Sequence, residues 1–174
     1  MNLEQRLRKI DASRVALMDE LEAMDPARLA AKPAAGKWSI LEIVEHLVLA
    51  ERAVFKGMPD PSRLEAREPT ATDRVRYLLV AFLLKSPVPV RVPSRAMVPK
   101  GALTLVELRR FWDENQDWLR AYVAGLDAAG LRRTVFEHPV AGPLTAEQAV
   151  RLGRIHADRH IRQIRALRLA PFHG

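Results

Sequence analysis

Residues 145–169 read TAEQAVRLGRIHADRHIRQIRALRL, and the fold turns on how this stretch is read. Thr145 followed three residues later by Gln148 is a capping box, in which two side chains satisfy backbone amides that the first helical turn leaves free. Pro171 stops the segment. On a wheel of about 100° per residue with His156 at zero, Glu147, Arg151, Arg154, Asp158, Arg162 and Arg165 fall between about 160° and 240°. They form one solvated face. Ala149 and Leu167 lie at about 20°, His160 at about 40°, Gly153 at about 60° and Gln163 at about −20° on the same wheel. The spacing predicts a helix over 145–169 with both histidines turned to a core.

Three more segments carry the same period. In the first, Leu3, Leu7, Ile10, Leu17, Leu21 and Met24 recur at steps of three and four, with Arg14 filling one step, until Asp25-Pro26 closes a helix over 3–24. In the second, Ser39 and Glu42 form a capping box for Ile40, Ile43, Val44, Leu47 and Val54, giving a helix over 40–57. In the third, Thr104 and Glu107 open a run through Leu105, Leu108, Trp112, Leu119, Tyr122 and Leu126, giving 104–125. Between the second and third, residues 58–103 hold seven of the twelve prolines (Pro59, Pro61, Pro69, Pro87, Pro89, Pro93 and Pro99), so helix is expected there only near 72–84. That stretch reads as a long crossover. His138-Pro139 and Gly142-Pro143 mark a loop, and no strand pattern stands out. The expected fold is all-α, a four-helix bundle with a proline-rich crossover between helices 2 and 3, in one domain over 1–174.

Composition narrows the function. Of the 174 residues, 48% are hydrophobic and 28% charged, which excludes a disordered chain. There is no cysteine, so disulfides, cysteine zinc fingers, iron–sulfur clusters and thiol nucleophiles are excluded, and any metal must be held by His, Asp or Glu. The N-terminal residues mix charge with apolar groups and lack a secretory signal, so a cytoplasmic location is expected. The longest apolar run, Tyr77 to Leu84, falls well short of the roughly 20 residues that span a bilayer. The net charge of +7 favours nucleic acid or acidic partners only if the cations cluster.

Five histidines remain. His156 and His160, one helical turn apart on one side, can direct both rings at a single cation. A buried pair of this kind can equally donate to backbone carbonyls. His46 sits on the second helix beside the Ile40, Val44 and Leu47 seam, and could supply a third ligand or be an ordinary core histidine. His46 lies about 10 Å from the start of its helix, while His160 and His156 lie about 12 and 18 Å from the end of theirs. Antiparallel neighbours would bring the three level.

Trp38 to Leu47, WSILEIVEHL, resembles the second-helix signature of the DinB/YfiT-like superfamily of metalloenzymes. His138-Pro139, Gly142, Leu144 and Thr145, then His156-Ala157-Asp158-Arg159-His160 and Gln163-Ile164, are similar to its final loop and helix. The resemblance runs almost end to end. It implies a four-helix bundle in which His46, His156 and His160 hold a divalent ion such as zinc or nickel. It also implies either hydrolysis or thiol-dependent S-transfer with a low-molecular-weight thiol, acting on a small-molecule substrate.

Three imidazoles leave coordination positions open, as catalytic metal sites do. Such a site either lowers the pKa of water towards about 7 for hydrolysis or holds a thiolate for attack on an electrophile. Glu42, one turn before His46, could orient that ring, but the capping box already employs it. Asp158 points away from the histidines on the wheel, at about 200°. His138 precedes a proline in a loop and reads as local structure, and His173 lies in the tail. Trp38, Trp112 and Trp118 could line a pocket or pack in the core. The competing function is a non-catalytic helical module binding nucleic acid or an acidic partner through its Arg-rich final helix. It ranks second because Glu147 and Asp158 interrupt that face and no aromatic residues interleave for base stacking. A homodimer is one assembly compatible with the sequence.

Overall fold

A computed structural model describes residues 2–64, 70–88, 92 and 94–170. His173 therefore lies outside the described residues. The elements are α1 (Leu3–Glu22), α2 (Pro26–Ala30), α3 (Ile40–Lys56), α4 (Ala71–Lys85), α5 (Leu105–Ala124), β1 (Thr134–His138), β2 (Gly142–Thr145) and α6 (Ala146–Leu169), with single 3-10 turns between some of them. All three expected capping boxes form, on Ser39 with Glu42, Thr104 with Glu107, and Thr145 with Gln148. Asn2 with Gln5 and Thr70 with Asp73 cap α1 and α4 in the same way. Asp25-Pro26 does close α1, and it also opens the short α2, with Asp25 accepting from the Ala27 amide and Pro26 in the first turn.

The long helices α1, α3, α5 and α6 make the bundle. The end of α1 (Leu17, Met18, Leu21) shares a core cluster with the starts of α3 and α5 (Ile40, Ile43, Leu108, Trp112) and with the end of α6 (Ile161, Ile164). At the other end, Leu7 of α1 packs with Leu119 of α5, Val150 of α6 and Phe55 of α3. The chain therefore runs up, down, down, up, with α3 and α5 parallel and α3 antiparallel to α6. A 17-residue helix is about 26 Å long, so the connection from α3 to α5 must climb back that distance. The described part of residues 58–103 lies on that return, as expected of a crossover.

Their helical piece is α4, which lays Tyr77, Val80 and Ala81 against Leu152 and Ile155 of α6. Its opposite side leaves Val75, Leu78, Leu79 and Phe82 exposed, so only part of the apolar run 77–84 is buried. Among the described residues, no helix is long and apolar enough to cross a membrane.

The structure corrects one expectation, since residues 134–145 form a hairpin rather than a loop. β1 and β2 pair antiparallel, with Phe136 opposite Leu144, His138 opposite Gly142, and a register irregularity between Thr134 and Phe136. Val135, Ala141 and Leu144 are buried beneath it. Strands of five and four residues are too short for alternation to show, and Pro143 argues against a strand except at an edge, which both strands of a two-stranded ribbon are. Gly142 has φ +78°, and a Cβ there would stand 2.8 Å from Asp73 Oδ1, so both backbone and space call for glycine.

Candidate metal centre

α3 is apolar nearly all round because it is wedged between α5 and α6, and its carboxylates must therefore find partners inside the protein. Glu45, 4% exposed, accepts from the Lys100 amide at 3.0 Å and the Gly101 amide at 2.8 Å. This ties the end of the crossover to α3. The 3-10 turn Arg95–Met97 is held there, and the Met97 carbonyl accepts from His46 Nδ1 at 2.7 Å. A carbonyl can only accept, so Nδ1 carries the proton and Nε2 keeps its lone pair. On α6, His160 Nδ1 donates to Gln163 Oε1 at 3.0 Å, which leaves the His160 Nε2 lone pair free in the same way.

These rings converge. His46 Nε2 lies 3.3 Å from His156 Nε2, the ring centroids of the three histidines stand 4.7 to 5.2 Å apart, and one nitrogen from each lies within 4.8 Å of the others. Two imidazole nitrogens bound at about 2.0–2.1 Å to one tetrahedral zinc ion are separated by about 3.3–3.4 Å, so the His46–His156 spacing matches an edge of that tetrahedron. The donor set fits a divalent ion of borderline softness. Among the described residues no carboxylate joins the three, so a bound ion would keep at least one position open.

Electrostatics agree with neutral ligands. Burial, reinforced by the neighbouring histidines and Arg159, pushes His156 down to about 3. Burial and His46 push His160 down to about 4 against the opposing pull of Gln163. Burial lowers His46 as well, with the Met97 carbonyl opposing it. Imidazole must be neutral to coordinate, and burial keeps all three so.

The three rings line a cavity of about 460 Å³ between α3, α4, α6 and the hairpin. Its wall is mostly apolar, with Leu47, Val54, Leu83, Phe136 and Leu152 among its residues, and Trp38 lies 4.9 Å from the His46 ring. Gly153, three residues before His156, also lines it.

The remaining sequence candidates separate cleanly. Glu42 is a cap: its carboxylate accepts from the Ser39 amide at 2.8 Å and pairs with Lys32 at 2.8 Å. Burial alone would raise it, yet Lys32 and Ser39 together hold it below the usual carboxylate range. Asp158 pairs with Arg154 at 3.4 Å and stays out of the triad. His138 does shape the turn, its Nδ1 accepting from the Val140 and Ala141 amides at 3.1 and 2.9 Å, and it also lines the cavity. Trp112 is buried in the core, while Trp118 is exposed and stacks between Phe55 and Tyr122. On the Arg-rich face, Arg165 and Arg168 pair with Glu20, Arg154 with Asp158, and Glu147 with Arg6, so much of its charge is neutralised internally.

Glu45, the Met97 carbonyl and Glu51 escaped the sequence reading. The available signal for the two glutamates was a carboxylate inside the otherwise apolar run from Ile43 to Ala50 and at its edge. Nothing local marked Met97, whose carbonyl is useful only because the crossover returns there.

The family model of the DinB superfamily matches residues 9–164. An uncharacterised Bacillus subtilis (strain 168) protein, YuaE, is 23% identical over 164 residues, covering 90% of this chain and 93% of YuaE. Among solved structures, TT2238, a four-helix bundle protein, aligns with a TM-score of 0.57 and 24% identity over 95% of this chain and 99% of its own. YfiT from Bacillus subtilis, described as a probable metal-dependent hydrolase with an unusual four-helix bundle topology, aligns with a TM-score of 0.50 and 18% identity over 96% and 87%.

Proposed function

The chain belongs to the DinB superfamily, and on that premise we propose that it is a metal-dependent enzyme, a hydrolase or a thiol-dependent S-transferase, acting on a small molecule at His46, His156 and His160. The observation that carries this reading is the convergence of three neutral imidazoles, two of them 3.3 Å apart at Nε2, on the wall of an apolar cavity of about 460 Å³. A cavity of that volume suits a small organic molecule, not a polymer.

Zinc or nickel fits the nitrogen donors. Bound there, the ion would supply Lewis acidity towards a water or a low-molecular-weight thiol. The chain's own contribution is to position and to exclude. Met97 and Gln163 fix the outward nitrogens of His46 and His160, and so aim the opposite nitrogens inward. Trp38 and the aliphatic wall give the ligand an apolar surface beside the histidines.

Purified protein should carry about one divalent ion per chain by elemental analysis, and His160→Ala should lose it while keeping its helical circular dichroism. Folded wild-type protein that takes up no zinc or nickel on titration would reject the proposal. A titration with a low-molecular-weight thiol then separates the two reactions, since only the transferase needs tight, metal-dependent thiol binding.

A further inference from the structure

Among the polar groups in the cavity wall outside the proposed metal centre, one is an acid. Glu51 is the single carboxylate among the described residues that line the cavity, and it stands five residues, or about 7.5 Å of helical rise, beyond His46 on α3. Asn115 Nδ2 donates to it at 3.2 Å, and Gln116 Nε2 donates at 3.2 and 3.3 Å. These two amides and the Trp112 indole N–H solvate the carboxylate with neutral donors and leave its charge without a counter-charge of its own.

The charges around it are already committed elsewhere. From α1, Arg14 faces Glu51 but gives its guanidinium to Asp11 at 2.8 Å and Asp113 at 2.6 Å. From α6, Arg154 lines the same cavity wall as Glu51 and pairs with Asp158 at 3.4 Å. Arg159, also in the cavity wall, donates to the Ser86 and Val88 carbonyls at 2.6 and 2.7 Å, capping the end of α4. From α5 come only Trp112, Asn115 and Gln116, none of them charged. Glu51 is thus a partly buried acid facing the cavity, and among the described residues no ion pair reaches it, Arg14 acting on it only at longer range. A carboxylate so placed is stabilised by a cationic partner brought by a ligand.

We propose that Glu51 is the recognition group for a positively charged, amine-type end of the ligand that fills this cavity. The substrate class is then a small molecule with an apolar body and an ammonium or amidinium end at Glu51. The reading of the three histidines as the metal centre enters only in saying which way the ligand lies, with its reactive end towards His46, His156 and His160. In the empty cavity, burial pushes the Glu51 carboxyl up to about 7 against the pull of Trp112, Asn115, Gln116 and Arg14, the cost that an arriving cation would relieve.

The test uses hexylammonium and hexanol as probes on metal-free, full-length protein, so it does not depend on an ion being bound. Hexylammonium should bind about tenfold or more tighter than hexanol, and Glu51→Gln should erase the difference while leaving hexanol binding unchanged. Equal affinity of the two probes for wild type, or a preference retained in Glu51→Gln, would overturn the proposal. Should Glu51→Gln fail to fold, labelling of wild type with glutamate carrying 13C at the side-chain carboxyl (Cδ) decides it. The Glu51 carboxyl resonance must shift with hexylammonium and stay in place with hexanol, and any other pattern sinks the idea. Wild type that takes up no zinc or nickel but still prefers hexylammonium would overturn the metal centre and support the Glu51 assignment, and metal uptake without that preference would do the reverse.

Discussion

A histidine on an apolar helix face is costly to charge, and His156 carries the largest share of that cost here. Its pKa falls to about 3 and that of His160 to about 4, both below the ordinary unfolded value of about 6.5. Between these limits the unfolded chain binds protons that the native one refuses, so stability is full above pH 6.5 and drains as pH falls through 4 towards 3. Metal-free protein should therefore unfold at progressively lower denaturant concentration from about pH 6.5 downwards. His156→Ala should show a visibly shallower dependence than wild type, and equal slopes for the two would show that burial does not hold this ring neutral. Gln163 gives a second prediction at this scale. Gln163→Leu removes the acceptor of His160 Nδ1 without touching the core, and metal affinity should fall about 10- to 100-fold by competition with a chelator, at unchanged thermal stability of the metal-free protein.

At the scale of the element, α6 combines several demands in 24 residues. It presents Ile155, Ile161 and Ile164 to the core, His156 and His160 to the cavity, and Arg151, Arg162 and Arg165 to solvent. Gly153 interrupts it. A Cβ there would meet nothing within 4 Å, so the glycine is not required by packing inside the chain. Helix propensity then predicts that Gly153→Ala raises stability by about 0.5–1 kcal/mol, measured by chemical denaturation, while leaving metal uptake intact. A loss of stability would mean that the wall beside His156 is tighter than it is drawn. α3 makes the complementary point, because Glu45, His46 and Glu51 are polar residues placed among the core positions of that helix. Each has a distinct job: Glu45 anchors residues 100–101, His46 meets the α6 histidines, and Glu51 faces the cavity.

For the whole molecule, the path of the chain matters most. Because α3 and α5 run parallel, the crossover must return along the bundle, and in doing so it supplies both α4 as a cavity wall and Met97 as the partner of His46. The three histidines come from helices 110 residues apart in sequence, so an ion held by all of them binds the folded chain and not the unfolded one. Free metal at about a hundredfold above its dissociation constant should then stabilise wild type by about 2.7 kcal/mol, seen as a higher denaturation midpoint. The same metal should leave the midpoint of His160→Ala unmoved. Equal stabilisation of both would locate the metal somewhere other than the triad.

The four long helices were legible in the sequence because each carries a period near 3.6, and three of them a capping box, which are local properties of neighbouring side chains. The same wheel turned His156 and His160 to the core side of α6, and the rise per residue brought His46 level with them once the helices were taken as antiparallel. The hairpin was not legible, since strands of five and four residues containing Pro143 leave too short an alternation. Nor could any local pattern indicate that a backbone carbonyl at Met97 would fix His46, or that Glu51 would face a cavity instead of solvent. Periodicity sets which way a side chain points from its own helix; what it meets there depends on segments far away in the chain, and only their packing decides it.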